Sequence, residues 1–165
     1  MKSRCILLVL LGLLAAGPGA WAETKTVAYR ITGATQNGPG SFSDGAYWCT
    51  FYDGTNRYTL PEGATAYTLN SSKNLFRLGT DGRTVPAGTA VVIISDKAEF
   101  FLTQSDDTSE ISINGGGNIL TGLDSDLKLG VHLTVYYMLG VVDNTLGFHR
   151  FTGVLIPAHK AYYTN

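Results

Sequence analysis

Three histidines, Cys49 and a few clustered carboxylates are the side chains in this sequence that could do chemistry. His132, His149 and His159 lie far apart, and none belongs to an H-x-x-x-H or H-x-H pair. Zinc sites usually show at least one such close pair, so these read as surface or rim histidines on strands and loops. Cys49 could act as a nucleophile beside a histidine. It lies inside the aromatic run Trp48-Cys49-Thr50-Phe51-Tyr52, where a cysteine behaves as a small buried hydrophobe. Asp124-Ser125-Asp126, or Asp106-Asp107 with Glu110, could offer oxygens to calcium. Neither continues into an EF-hand loop, and acidic turn residues are ordinary between strands. Gly40-Ser41-Phe42-Ser43-Asp44-Gly45 lacks the spacing of a serine-hydrolase elbow. The triple glycine Gly115-Gly116-Gly117 has no strand-loop-helix setting and no basic residue for a phosphate. Glu62, Glu99 and Glu110 stand in turn-like or strand-edge contexts, without a motif that would pair them for glycoside hydrolysis. No catalytic residue, metal or cofactor is expected from this inventory.

Aromatic side chains are the remaining lead. In a strand, successive side chains point to opposite faces, so one of each adjacent aromatic pair turns away from the core. Over residues 131–139 the inward set is Val131, Leu133, Val135, Tyr137 and Leu139, leaving His132, Thr134, Tyr136 and Met138 outward. The same parity separates Tyr162 from Tyr163, and Trp48 with Tyr52 from Tyr47 with Phe51. Outward rings can stack on sugars or anchor a protein partner. A second covering sheet or loop, or ordinary cross-strand pairing, would account for them equally. Trp48, Tyr52 and Tyr136 are the candidate ligand-binding residues.

The elements that must position these rings are short strands. Val27, Tyr29 and Ile31 alternate with Ala28, Arg30 and Thr32, and the loop Asn37-Gly38-Pro39-Gly40 follows. Residues 47–52 form a dense aromatic and threonine run closed by Asp53-Gly54, a pair suited to a chain reversal. Further runs fall at 66–69, 75–78, 90–94, 100–103, 111–113, 131–139, 146–151 and 161–163. Turn clusters such as Thr80-Asp81-Gly82 and Asp143-Asn144 separate them. About ten short strands at this spacing predict an all-β, antiparallel β-sandwich, with a β-barrel as the alternative. Residues 120–129, bounded by glycines, read as a loop or a short turn of helix. Val91-Val92-Ile93-Ile94 is apolar on both faces, which predicts a central strand covered on both sides, or covered on one and packed on a loop.

The N-terminus has its own pattern. Lys2 and Arg4 precede an apolar run of about twelve residues, Gly17-Pro18-Gly19 breaks it, and Ala20-Trp21-Ala22 supplies small residues for cleavage. The run is too short for a bilayer core, which needs about twenty. The expected boundaries are a signal peptide over 1–22, cleaved after Ala22, and a single β-sandwich domain over 23–165. No membrane span is expected in the mature chain. The leader takes two of the twelve Lys and Arg residues, leaving ten against thirteen Asp and Glu, a net charge of −3. That balance offers no electrostatic footprint for nucleic acid. It also leaves Cys49 as the one cysteine, and a disulfide-free secreted chain points to a bacterial periplasmic or extracellular protein.

One phrase occurs three times. Leu60-Pro61-Glu62-Gly63-Ala64-Thr65-Ala66-Tyr67, Val85-Pro86-Ala87-Gly88-Thr89-Ala90-Val91 and Ile156-Pro157-Ala158-His159-Lys160-Ala161-Tyr162 share an aliphatic residue, Pro, a short loop and Ala before a strand former. Proline pushes its predecessor into extended backbone, so each aliphatic residue should end a strand and each Ala should lead into the next. These segments, with Trp48-Cys49-Thr50-Phe51-Tyr52 and Leu146-Gly147-Phe148-His149-Arg150-Phe151, resemble a β-sandwich accessory module of Gram-negative gut anaerobes. The module is found in secreted and cell-surface proteins, often C-terminal to leucine-rich repeats or hydrolase domains. The resemblance runs over about residues 46–163 and implies an accessory role with no assigned catalysis and no functional residues to carry over. No large partner domain is expected beside it here, which departs from that setting.

Taken together, the sequence predicts a secreted or surface-associated, non-catalytic binding module whose partner is a glycan or a protein. The alternatives are an assembly subunit that pairs through an edge strand and a small secreted hydrolase with no recognisable motif.

Overall fold

The computed structural model describes the backbone of residues 23–27 and 29–30, and residues 47–130, 133–143 and 145–165 in full. Residues 1–22, where a leader and its cleavage are expected, Ala28, Ile31, Thr32, the expected loop at 37–40, the segment 40–45, Val131, His132 and Asn144 lie outside the described residues.

Among the described residues the chain is all-β, in fifteen short strands arranged in open antiparallel sheets, none closed into a barrel. The central sheet has the order β2 (Tyr29–Arg30), β3 (Tyr47–Phe51), β8 (Val91–Ser95), β5 (Ala64–Leu69), β6 (Leu75–Arg77). A first flanking sheet runs β1 (Glu23–Val27), β9 (Glu99–Ser105), β4 (Arg57–Thr59), β7 (Thr84–Val85). A second runs β10 (Thr121–Gly122), β15 (Ala161–Thr164), β12 (Tyr136–Val142), β13 (Thr145–Arg150). β11 (Leu127–Lys128) and β14 (Leu155–Ile156) form a separate two-stranded ribbon.

The two faces of β8 explain this layering. Val91 and Ile93 join Cys49, Phe51, Ala64 and Ala66 in a core closed by Tyr58, Leu60, Val85, Phe100 and Leu102 of the first flanking sheet and its margins. Val92 and Ile94 point the other way, into a core shared with Trp48, Leu120, Ala161 and Tyr163. Tyr137, Leu139, Leu146 and Phe148 of the second flanking sheet pack against it, partly buried. The central sheet is therefore covered on both sides, and its apolar residues need no polar alternation. Each fully buried Val or Ile contributes about 1.5–3 kcal/mol of transfer free energy.

The repeated phrase works as its chemistry requires. Val85 and Ile156 end β7 and β14, and Leu60 follows the last residue of β4. Beyond each loop a strand begins at Ala64, Val91 or Ala161. In the first two loops the backbone closes by Ala64 N–H to Pro61 O and Thr89 N–H to Pro86 O, both 3.2 Å. Gly63 and Gly88 take the left-handed position these turns need, with φ of 84° and 74°. His159 holds the matching place in the third phrase, with φ of 59°.

Other expectations are corrected. Residues 111–113 form no strand, and Ile113 is exposed, because no neighbouring strand pairs with that segment. Residues 120–129 are neither plain loop nor helix but carry β10 and β11. β12 starts at Tyr136, so Leu133 lies outside it and is fully exposed rather than inward.

Candidate functional site

Tyr52, His159, Asp124, Tyr162 and Tyr136 come together where the β3–β4 turn meets the second flanking sheet. Tyr52 follows β3, and the backbone joins it to the third proline loop: Tyr52 N–H donates to His159 O at 3.2 Å. Its ring lies against Gly122 of β10, where a Cβ would run into Tyr52 Cβ and Cγ. Only glycine permits that approach. His159 is exposed and anchored by its own N–H, which donates to Leu123 O at 2.8 Å.

The imidazole has a defined orientation. Nδ1 sits 3.1 Å from Tyr52 O and 3.6 Å from Asp124 Oδ1. Both neighbours are acceptors, so the tautomer that satisfies them is the one with its proton on Nδ1. Asp124 is itself fixed by Gly54 N–H, which donates to Oδ1 at 2.8 Å. The arrangement keeps a carboxylate and an imidazole side by side at an exposed turn. It costs strain, since a left-handed non-glycine residue is disfavoured by about 1–2 kcal/mol.

The tyrosines lie beside this turn. Tyr136 and Tyr162 share the outer face of the second flanking sheet, on neighbouring strands, with ring centroids 5.7 Å apart. Burial raises the pKa of Tyr162, and the phenols of Tyr136 and Tyr52 raise it further, which places both within electrostatic reach. Tyr136 and Tyr52 are each partly exposed, while Tyr162 is buried between its neighbours. Tyr136 also lines a cleft of about 140 Å³ with Thr134, Arg150 and Phe151. On the inner face, Tyr137 stacks on Tyr163 at 4.7 Å, and Lys73 Nζ lies 3.7 Å over the Tyr163 ring.

Of the three rings picked from sequence, Tyr52 and Tyr136 thus lie close to one shared neighbour, and Trp48 does not join them. Trp48 is 8 % exposed and belongs to the core between the central and second flanking sheets. Parity put it on the face away from Phe51 correctly, but that face is covered by β15. A buried ring there cannot stack on a ligand. His159 and Asp124 were not among the chosen site residues. The signal that marks His159 is its place in the repeated phrase, where the first two copies have glycine.

The other candidates have structural duties. Cys49 is fully buried, and burial drives its thiol up to about 12, so no thiolate nucleophile forms there. Asp126 accepts Ala158 N–H at 2.9 Å, and Asp107 accepts the N–H and hydroxyl of Ser109. Among the described residues no group of three or more His, Cys, Asp or Glu is placed to hold a metal ion. Nor is any helix among them long and apolar enough to cross a membrane.

A second feature adjoins the site. Asp53, buried inside the β3–β4 turn, accepts Thr55 N–H at 2.8 Å, Asn56 N–H at 2.7 Å and Tyr58 O–H at 2.9 Å. Beyond it opens a groove of about 460 Å³, lined in part by Asn56, Arg57, Pro86, Gln104, Asp106 and Asp107. No protein-family model matches the chain, and neither does any curated protein or solved structure.

Proposed function

We propose that the protein is a secreted, non-catalytic binding module that holds a glycan at the Tyr52–Tyr136–His159–Asp124 patch. The observation that carries this reading is His159 itself. Two equivalent turns in the same chain place glycine at this position, and the third accepts left-handed strain to present an imidazole beside a carboxylate and a tyrosine. Strained residues held by surrounding structure concentrate at ligand sites. Sugars need both parts of such a patch, since aromatic rings cover their C–H faces while a carboxylate and an imidazole bond their hydroxyls. Partly exposed Tyr52 and Tyr136, backed by the buried Tyr162, supply the rings.

A glycan-array screen of the purified protein tests the reading. Retention of a set of related glycans, lost on Tyr136→Ala, supports it. An array with no retained glycan refutes it.

Assembly through an edge strand is the second reading, and one observation favours it. β13 borders the second flanking sheet with no proline and a single fixed charge, Arg150, at its end, and Val141 and Val142 of its hairpin partner are exposed. Edges with little charge and no proline invite pairing with another strand. Concentration-dependent mass in sedimentation would support this reading, and a strict monomer would exclude self-pairing.

A further inference from the structure

We infer that the groove beside Arg57 is a second subsite for neutral saccharides, continuous with the tyrosine–histidine patch across the β3–β4 turn. The inference deepens the glycan-binding reading and rests on it.

The guanidinium of Arg57 carries the argument. Its Nη2 donates to Ser109 O, but Nη1 is buried and makes no hydrogen bond among the described residues. The nearest carboxylate oxygen, Asp107 Oδ2, lies 3.6 Å away, near enough for charge attraction and too far for a hydrogen bond. Buried donors left unmade are uncommon, and each asks for an explanation. A hydroxyl can accept from Nη1 and donate to Asp107 together, because it is both acceptor and donor. Half of the Asp107 side chain is exposed, and Ser109 holds its carboxylate through an N–H and a hydroxyl, so a ligand hydroxyl enters between the two groups by shifting the Arg57 side chain or the exposed Asp107–Ser109 turn.

The rest of the lining selects among ligands. An anion would meet Asp106 and Asp107, and a metal cation would meet Arg57. A neutral molecule rich in hydroxyls satisfies both. Gln104 donates through Nε2 to Asn56 Oδ1 at 2.9 Å, so its own carbonyl oxygen remains for a ligand hydroxyl. Pro86, at the groove wall, presents an apolar ring to a sugar's C–H face.

Continuity follows from the chain. Tyr52 and Asn56 are four residues apart, so their Cα atoms are separated by at most about 14 Å. Asp53 holds the intervening turn in one conformation through the N–H groups of Thr55 and Asn56. Two weak subsites on either side of a fixed turn reinforce one another when one oligosaccharide reaches both.

The test is an NMR titration of the isotope-labelled protein with cellohexaose, xylohexaose and mannohexaose, each beside its monosaccharide. The expected result is that one hexasaccharide shifts the side-chain amides of Asn56 and Gln104 and the Arg57 Nε–H together with the Gly54 and His159 amides. Gln104→Ala should then weaken that hexasaccharide by about fivefold to tenfold and leave the monosaccharide's affinity at the patch unchanged. Arg57→Lys should act in the same direction, and Gln104→Ala serves alone if Arg57→Lys disturbs the amide spectrum. Shifts confined to the Tyr52–His159 patch would overturn the groove subsite while leaving the patch reading intact. Shifts confined to the groove would overturn the continuity and the patch together. No shift with any of the three hexasaccharides would overturn both.

Discussion

His159 and Gly88 stand at equivalent places in two copies of one turn, and the difference between them is a measurable free energy. The left-handed backbone disfavours a side chain, while glycine loses more entropy on folding. His159→Gly should therefore leave the protein as stable as before, or more stable by up to about 1 kcal/mol in denaturant unfolding, while weakening ligand binding. A clear loss of stability would mean that the imidazole is there to hold the turn. Asp53 is the opposite case, a polar residue whose role is structural. Burial pushes its carboxyl up, but the hydrogen bonds from Asn56, Thr55 and Tyr58 outweigh that and hold it below the ordinary 3.8. The folded state thus binds this proton less tightly than the unfolded chain does. Its stabilisation is complete above the unfolded value and is lost as pH falls through the lower folded value. Asp53→Asn should cost about 1–3 kcal/mol at pH 7 and flatten the acid limb of the stability curve below pH 4. An unchanged acid limb would remove Asp53 from the account. Cys49 should resist thiol reagents in the native protein at pH 8, and rapid labelling would contradict its burial.

At the scale of elements, what the sequence made legible was local chemistry. Proline and glycine act on their immediate neighbours, so the three phrases could be read as strand, turn and strand from residue types alone. The unbroken run Val91-Val92-Ile93-Ile94 showed a central strand because only a strand covered on both faces dispenses with polar residues. Parity separated Tyr136 from Tyr137 and Tyr162 from Tyr163 for the same local reason. Burial of Trp48 was not legible, since alternation assigns a face but not what lies on it. β15 covers that face from more than a hundred residues away, with Ala161 N–H donating to Thr50 Oγ1 at 3.2 Å. Strands of two residues, such as β7, β10, β11 and β14, are too short to show any period. The fold predicts that Ile93→Ala costs about 2–5 kcal/mol, since the removed atoms leave a cavity that both layers must collapse to fill. Thermal and denaturant unfolding would check this, and a cost below about 1 kcal/mol would show that the central sheet is not packed as described.

For the whole molecule, the layering separates stability from recognition. Two cores on either side of the central sheet hold the fold, and the candidate ligand groups sit at turns and strand ends around them. Asp124 and His159 stand outside both cores, and Tyr52 packs against one of them only partly buried, so changing these groups should affect binding more than folding. The claim that they form a glycan site is the centre of the account. It is tested most directly by calorimetric titration of the purified protein, Tyr52→Ala and Tyr136→Ala with the glycan best retained on the array. Two stacked aromatic rings gain about 0.5–1.5 kcal/mol beyond area burial, and a ring on a sugar's C–H face is taken to contribute the same order. Each variant should therefore bind about threefold to tenfold more weakly while its unfolding transition stays near that of the parent. Unchanged affinity in both variants, or a large fall in their unfolding temperature, would show that the rings serve the core and would contradict the account.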